Sequence, residues 1–469
     1  MIVVSEGHEK QDTYTGPTIR LPERVARRRR SLSPLPDYEA SQAQYRRSLV
    51  LDHKNKQAWH QSKIWRAILF LLLTYAILTT VIGVPIVVKK MKQQNEDPWN
   101  GDGFMGSTQF SSSAGVITYK DNMPCNTWTN MDYVHSLRPY RATFQLQLPV
   151  MGEISIRSNA TLENTLPDNV IGTLTAEFDS SIKDNSAQIT LTMQTTTRTL
   201  QESTLVCYDD IGPDRGLSIF FPSNITAMDS ISMDIHVAFP RVASFQTFNV
   251  YLPVFTQVFK DLTQVDIESV NIEGTIRPIN VTNLRAPCIS VKSVVGDIIG
   301  TFNASGSLLL DTIRGDINAS ITLVKASPHS SPTSMSLDTG DRNINAQVTL
   351  LTPGRFSSSP QFVGKINNFN ADINLAVRSD PSSPPVPIYF TVQNNLQQTR
   401  VMVEGNENHK YDDIFGSSKQ RTLLFDQPRS SSRSSGWVGW GNKPDPSVGQ
   451  SRVEITSSLG PVELQFGPT

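Results

Sequence analysis

Two stretches of the sequence, LDTIRGDINASITL at residues 310–323 and LDTGDRNINAQVTL at residues 337–350, are near copies at an offset of 27 residues. KSVVGDI at 292–298 and DTIRGDI at 311–317 align at an offset of 19, and TSSLGPV at 456–462 is a looser copy. Each full copy has an alternating apolar segment, a polar corner and a second alternating segment. Such repeats predict stacked β-rungs, because one rung cannot bury its apolar face alone.

Alternation of apolar and polar residues continues over most of the chain after residue 133. It is clearest at residues 144–150, 189–193, 233–239, 388–392 and 462–466. A period of two with many β-branched residues predicts half-buried strands. The nearest approach to a helical period is 255–265, which would give one or two helical turns.

The expected fold is therefore an all-β ectodomain in two regions. A β-sandwich is predicted at 134–260, and β-solenoid-like rungs are predicted at 261–469. A Ser-, Gly- and Trp-rich insertion interrupts the rungs at 411–449. Within it, Trp437 and Trp440 either stack on a sugar or a partner, or fold back on the parent domain.

The rungs at 290–298 and 310–317, together with SSLGPVEL at 457–464, resemble the DUF4097-like adhesin repeats of bacteria and fungi. Single-pass fungal membrane proteins with a basic tail and a Leu-Pro-x-Tyr element show the same order of parts. The resemblance implies a β-helical, surface-exposed domain. It implies no ligand and no activity.

An uncharged apolar run at 67–88, followed by Lys89, Lys90 and Lys92, predicts one transmembrane helix. At ~1.5 Å per residue the run spans about 33 Å, the thickness of a bilayer core. Residues 1–66 carry 13 Lys and Arg against 7 Asp and Glu, so the positive-inside rule predicts a cytoplasmic N-terminus. The expected localisation is a single-pass type II protein of the plasma membrane or the secretory and endomembrane system, with a polar stalk at 89–133.

The cysteines and glycosylation sequons all follow this run. Cys125, Cys207 and Cys288 allow one disulfide and a leftover thiol, or an intermolecular bridge, and their spacing does not choose the pairing. The candidate N-glycosylation sites are Asn159, Asn224, Asn280, Asn303 and Asn318. Both features fit a lumenal or extracellular domain.

The tail 1–66 is poor in aliphatic residues, so it is predicted to be disordered. Leu35, Pro36 and Tyr38 belong to a Leu-Pro-x-Tyr element that resembles a ligand of WW domains, which makes a WW-domain ubiquitin ligase an expected partner. Ser33 precedes a proline and follows an Arg block, so it is a candidate phosphorylation site.

Catalytic patterns are weak throughout the sequence. Asp338-Thr339-Gly340 copies the aspartic-protease tripeptide, but the second tripeptide that this chemistry needs does not occur. Asp297 and Asp316 would lie close together if the rungs stack in register. The seven histidines show no metal-ligand spacing, and His236 is expected simply to face outward. Basic residues are not clustered after residue 92, so no nucleic acid partner is expected, and no cofactor or metal is indicated.

The sequence thus predicts a non-enzymatic single-pass membrane protein whose outer β-domain acts in surface binding, adhesion or scaffolding. Its outer partner would be a cell-wall glycan or a protein. The alternatives are a membrane-tethered carbohydrate-active β-helix enzyme, with an acid-lined cleft, and a lipid-binding β-domain, with a deep apolar groove.

Overall fold

The computed structural model describes the chain from residue 124 onward, with gaps. The described ranges are 124–160, 169–209, 215–241, 243–325, 327, 330–352, 362–380, 386–403, 410–412, 418–426, 432–440, 442–443 and 451–467.

Strands account for nearly all of the regular structure in these ranges. The strands are β1 (Asn130–Tyr133), β2 (Tyr140–Pro149), β3 (Glu153–Ser158), β4 (Val170–Phe178), β5 (Ser186–Thr195), β6 (Leu205–Asp209), β7 (Gly216–Phe220), β8 (Ile231–Phe239), β9 (Ser244–Tyr251), β10 (Phe255–Asp261), β11 (Asp266–Glu273), β12 (Ile279–Ser293), β13 (Ile298–Thr312), β14 (Ile317–Val324), β15 (Thr333–Thr339), β16 (Ile344–Leu351), β17 (Phe362–Asn368), β18 (Ile373–Ser379), β19 (Ile388–Asn394), β20 (Thr399–Val403), β21 (Lys410–Asp412), β22 (Ser418–Phe425), β23 (Arg433–Trp440), β24 (Arg452–Ser457) and β25 (Val462–Phe466). The one described helix, α1, is Arg198–Ser203.

All strands except β21, which pairs with β22, form two stacked arrays. Sheet 1 has the order β1-β2-β5-β8-β4-β10-β12-β13-β14-β16-β18-β25-β20. Sheet 2 has the order β6-β7-β3-β9-β11-β12-β13-β15-β17-β24-β19-β23-β22. The long strands β12 and β13 contribute their first halves to sheet 1 and their second halves to sheet 2.

The inner faces of the two sheets pack against each other. Phe239 of sheet 1 meets Phe248 of sheet 2 edge-on, with ring centroids 5.2 Å apart. Near the other end, Phe390 of sheet 2 lies 5.6 Å from Phe466 of sheet 1. One continuous hydrophobic core runs between the sheets, so the apolar face predicted for each rung is buried by the facing strand and by the neighbouring rungs.

The rungs stack in the register that the repeat offsets predict. Leu310 pairs with Leu337 and Ile317 pairs with Ile344, which are the 27-residue matches. Lys292 pairs with Asp311, which is a 19-residue match. Both offsets therefore measure one rung. They differ because residues 325–332 form an additional connection between β14 and β15.

Two edges of the stack differ in construction. On one edge, here called the constant edge, a corner of four residues joins sheet 2 to the next strand of sheet 1 in each rung from β12 onward. These corners are 294–297, 313–316, 340–343, 369–372, 395–398 and 458–461. On the other edge, the variable edge, sheet 1 leads back to sheet 2 either without a loop, inside β12 and β13, or through connections such as 325–332, 352–361 and 380–387.

One inward-facing polar residue precedes each corner of the constant edge. Asn368 is 4% exposed; its Oδ1 accepts hydrogen bonds from the N–H groups of Asn370 and Ala371, and its Nδ2 donates to the carbonyl of Arg342. At the equivalent position, the Thr312 hydroxyl accepts from the N–H of Gly315. Buried polar groups are costly without partners, and at these two corners the side chains bond backbone groups. The Ser293 hydroxyl, before the first corner, has no hydrogen-bond partner among the described residues.

Glycine allows successive corners to approach closely. A Cβ atom on Gly315 would lie 2.2 Å from the carbonyl oxygen of Gly296, and one on Gly296 would lie 2.0 Å from the carbonyl oxygen of Arg277. No side chain fits at these distances, which explains the glycine in both corners.

The order of the rungs in space departs from their order in the chain at the C-terminal end. β24 lies between β17 and β19, and β25 lies between β18 and β20. The last described strands of the chain are thus inserted into the stack, and they join the rung β19–β20 to the rest of it.

Antiparallel strands flank the parallel rungs at both ends. β5, β2 and β1 extend sheet 1 beyond β8, and β23 and β22 extend sheet 2 beyond β19. A disulfide between Cys125 and Cys207 connects the start of the described chain to β6, and Cys288 is a free, exposed thiol. The pairing that the sequence leaves open is therefore Cys125–Cys207.

The predicted fold class needs a correction. No helix among the described residues is long and apolar enough to cross a membrane. The fold that these residues show is all-β, and the predicted transmembrane helix is not supported. The predicted helix at 67–88 and the tail at 1–66 lie outside the described residues. The single-pass type II topology, the membrane partner and the membrane localisation with a cytoplasmic N-terminus are accordingly not supported.

The helical turns considered at 255–265 are also wrong. Residues 255–261 form β10, whose inward residues Phe255, Gln257 and Phe259 are fully buried. Flanking strands β4 and β12 pair with both edges of β10, and this pairing decides its conformation over local periodicity.

The disulfide is expected to stabilise the N-terminal end of the stack. Loss of a bond that closes a loop of 82 residues should lower the free energy of unfolding by about 4 kcal/mol, because the unfolded chain gains conformational entropy. The variant Cys207→Ser tests this by guanidinium denaturation under non-reducing conditions. Cys288→Ser is the control and should unfold like the wild type; equal midpoints for both variants would contradict the assignment.

The inserted position of β25 gives a second prediction. Val462 is 1% exposed, and Val462→Asp should lower stability by about 3 kcal/mol or more, because it buries an unpaired carboxylate. Hydrogen exchange should then increase in β20, which pairs with β25, although the two strands are far apart in sequence. Glu463→Ala, on the outer face, is the control. Faster exchange confined to residues 452–467 would argue against the inserted order.

Candidate binding surface

A row of asparagines lies on the outer face of sheet 1. Asn318, Asn345 and Asn374 occupy equivalent positions on the adjacent strands β14, β16 and β18. The Asn345 Nδ2 donates to Asn318 Oδ1 over 3.0 Å, and the Asn374 Nδ2 donates to Asn345 Oδ1 over 2.9 Å. All three residues are exposed. We call this row the asparagine ladder.

The sequence places the ladder by simple alternation. Each asparagine follows a buried isoleucine at the start of its strand, namely Ile317, Ile344 or Ile373. Because successive side chains of a strand point to opposite faces, the residue after each isoleucine must face outward. The buried isoleucines therefore fix the position of each amide along its strand, and the stacking of the strands fixes the distance between neighbouring amides.

The surface around the ladder is polar and almost uncharged. Ser320 and Gln347 form the next row of outward residues, and Thr322 and Thr349 form a third. A shallow groove of about 600 Å³ follows the first two rows to Glu463 and Gln465 of β25, and Glu463 is the one ionisable residue in its lining. The third row continues to Arg378 on β18. The surface offers hydrogen-bond donors and acceptors with little net charge.

Carboxylates approach each other on the outer face of sheet 2. Asp311 and Asp338 pair on adjacent strands, with Lys292 on the other side of Asp311. Asp311 is 4% exposed. Burial and the neighbouring Asp338 carboxylate raise its pKa to about 6, and Lys292 opposes this shift. Asp338 itself accepts hydrogen bonds from Asn367 and Ser336.

The acids at the constant edge have a structural role. Asp297 and Asp316 do lie on neighbouring corners, as expected for stacking in register. The Asp297 carboxylate accepts from the N–H of Asp316, and the Asp316 carboxylate accepts from the N–H of Asn343, over 2.9 and 2.8 Å. Their oxygens thus connect one corner to the next.

His236 faces outward on β8, as expected. Its Nε2 lies 2.6 Å from Glu177 Oε1, and Lys260 contacts the other carboxylate oxygen at 2.5 Å. The hydrogen bonds from Lys260 and then from His236 lower the pKa of Glu177. The three side chains are partly exposed, so this is a surface ion-pair network.

The insertion tryptophans fold back on the domain. Trp437 is 1% exposed and lies in β23. The Arg421 guanidinium lies over the Trp440 ring, 5.3 Å from its centroid. The insertion thus adds strands to the end of sheet 2, and its two tryptophans make contacts within the domain.

The candidate glycosylation sites have different surroundings. Asn224 is exposed in a turn, whereas the Asn159 amide bonds the backbone of Phe221 through both its oxygen and its nitrogen. Asn280, Asn303 and Asn318 all point outward from sheet 1. Glycosylation of these sites remains a prediction. Ser33, Leu35, Pro36 and Tyr38 lie outside the described residues.

One apolar void between the sheets is very small. A void of about 10 Å³ lies between the sheets, lined by Leu323, Met335 and Val348 among others. A lipid chain needs a far larger cavity, so this part of the interior offers no lipid site.

Comparison with known proteins identifies no family for this chain. No family model matches the sequence, and no curated protein matches it. A crystal structure described as that of a "putative cell adhesion protein" from Clostridium sporogenes covers 70% of this chain and 99% of its own, with 8% identity and a TM-score of 0.16. Its description agrees with the adhesin part of the expected resemblance, but a superposition this poor carries no argument. Nothing found supports a fungal family.

The Asp311–Asp338 pair predicts a pH-dependent stability. A carboxyl whose pKa is about 6 in the folded state and ordinary in the unfolded state favours the fold most below about pH 4, and that contribution is lost as pH rises from about 4 to 6. Asp311→Asn should therefore raise stability at pH 7 by roughly 2 kcal/mol and flatten the change between about pH 4 and 7. Denaturant unfolding at both pH values measures this, with the exposed Asp372→Asn as control. A wild-type pH dependence in Asp311→Asn would refute the assignment.

Proposed function

We propose that this chain is a non-enzymatic binding protein whose asparagine ladder holds an extended, neutral polysaccharide of a cell surface or cell wall. The observation that carries the proposal is the hydrogen-bonded row of exposed amides on adjacent rungs. Support comes from the chemistry of the amides, from their spacing and from the low charge around them.

Each amide in the ladder keeps capacity for a ligand. Asn345 uses one of its two N–H bonds toward Asn318 and one lone pair toward Asn374. One N–H and one lone pair remain, which matches a sugar hydroxyl that donates and accepts at once. The hydrogen bonds along the ladder also hold the amides in one orientation. Binding a ligand therefore costs little additional side-chain conformational entropy.

The spacing favours a linear polymer. Neighbouring strands in a sheet lie about 4.8 Å apart, which is comparable with the length of one pyranose unit. Successive sugars can therefore meet successive rungs, and many weak contacts add up along the groove. A neutral ligand is favoured because the groove along the ladder is lined mainly by Asn, Ser, Gln and Ala, with Glu463 as the one ionisable residue in its lining, while Arg378 lies farther along β18.

Catalysis has less support than binding. The groove has one acid in its lining, Glu463, whereas glycoside hydrolysis uses two carboxylates that flank the scissile bond. The adjacent acids Asp311 and Asp338 lie on sheet 2, on the outer face away from the ladder.

The test compares paired variants of full-length protein. Asn345→Ala combined with Gln347→Ala should weaken binding to neutral β-glucan or chitin oligosaccharides at least tenfold, as measured by calorimetry. Asn370→Ala combined with Gln397→Ala removes two exposed amides outside the ladder and serves as the matched control. Binding should change little between 50 and 500 mM salt, because no charge pairing is involved.

Two results would refute the proposal. One is that no neutral polysaccharide in the panel binds. The other is that the ladder variant and the control variant bind equally. Circular dichroism and thermal unfolding of both variants establish that the fold is intact, since all four residues are exposed.

A further inference from the structure

A second concave site lies where the outer face of sheet 1 meets the variable edge. It is a cleft of about 480 Å³, within the range of pockets that hold small ligands. Its lining comes from the turn before β11 and from β12, β13, β14 and β16. The cleft is separate from the asparagine ladder, which lies at the opposite ends of β14 and β16.

Arg285 supplies the positive charge of the cleft. It points outward between the buried Leu284 and Ala286, next to Asn303 on the neighbouring rung. Its guanidinium forms no hydrogen bond or ion pair with any residue that the structure describes. A guanidinium presents a planar set of donors that binds a carboxylate through two parallel hydrogen bonds.

The rest of the lining suits a sugar ring. Gln264 and Asn303 offer amides, and Asp266 accepts a hydrogen bond from Ser244 through one carboxylate oxygen, which leaves the other oxygen for a ligand hydroxyl. The half-buried Val324 and Leu351 give an apolar wall. Apolar walls with a few placed polar groups are typical of ligand pockets.

We infer that this cleft binds an acidic sugar residue, a uronic acid, with Arg285 on the carboxylate and the amides and Asp266 on the hydroxyls. A single arginine matches a single carboxylate. A polyanion such as a nucleic acid would meet Asp266 without further cationic groups in the lining. The site thus adds recognition of an acidic sugar to a face whose ladder is proposed to hold neutral ones.

The probe is an oligogalacturonate, and its methyl-esterified form is the uncharged control ligand. Full-length protein from a host without N-glycosylation keeps the Asn303 amide free. The wild type should bind the acid at least tenfold more tightly than the ester, and binding of the acid should weaken with salt. Arg285→Ala should lose at least tenfold in affinity, and Arg285→Lys should lose several-fold, because a lysine cannot form the paired bonds.

Arg400→Ala is the matched control, since Arg400 is exposed on the outer face of β20. Equal binding of acid and ester, or unchanged binding by Arg285→Ala, would overturn the inference. Asn303→Ala provides a second test, because it should weaken the acid and the ester alike without abolishing the preference for the acid. The ladder variants should leave acid binding unchanged, so failure at one site is distinguishable from failure at the other.

Discussion

The stack depends on satisfying the backbone where each strand leaves sheet 2. At that point the chain turns inside the stack, and burial of its N–H and C=O groups without partners would be costly. Some of these groups bond the neighbouring corner, as the N–H of Arg314 does to the carbonyl of Val294. Buried polar side chains before several corners supply further partners: Asn394, for example, accepts from the N–H groups of Leu396 and Gln397 and donates to the carbonyl of Gly460. This bonding holds the strand ends of those rungs in place. The end of one strand and a corner of four residues then fix where the next strand begins, and with it which residues face outward.

The repeats could be predicted because the constant edge preserves them. Corners of equal length keep Thr312 aligned with Thr339 and Ile317 aligned with Ile344, so the copies are visible without a gap. The order of the rungs could not be predicted in the same way. The inward Val462 pairs with Ile373, but other inward aliphatic residues would fit beside Ile373 equally well. The local sequence therefore does not determine which rung lies next to β18. The predicted transmembrane helix lacks support for a different reason: it rested on hydropathy at 67–88, outside the described residues, and no described helix is long and apolar enough to cross a membrane.

The candidate surface was visible in part. The repeated Ile-Asn unit indicates an outward asparagine at each rung, yet Asn318 stands out in the sequence chiefly as a glycosylation sequon. The hydrogen bond from Asn345 to Asn318 needs the register as well as the residues. The cleft around Arg285 had no sequence signal, because its lining comes from five segments that meet only where β12 and β13 bend from one sheet to the other.

The two proposed sites lie near opposite edges of the stack, the cleft at the variable edge and the asparagine ladder next to the corners of the constant edge. Glycosylation sequons occur at both. Insertions occur at the variable edge, where they leave the corner bonding untouched, and this is the usual place for function in repeat proteins. Asn303 and Asn318 both point out from sheet 1, one into the cleft and the other into the ladder. A glycan on Asn318 would keep its Oδ1 as an acceptor for Asn345, so the ladder would survive, but the bulk of the glycan would cover the groove. Modification and ligand binding therefore compete for the same atoms, and the occupancy of these two sequons decides how much of the face is open.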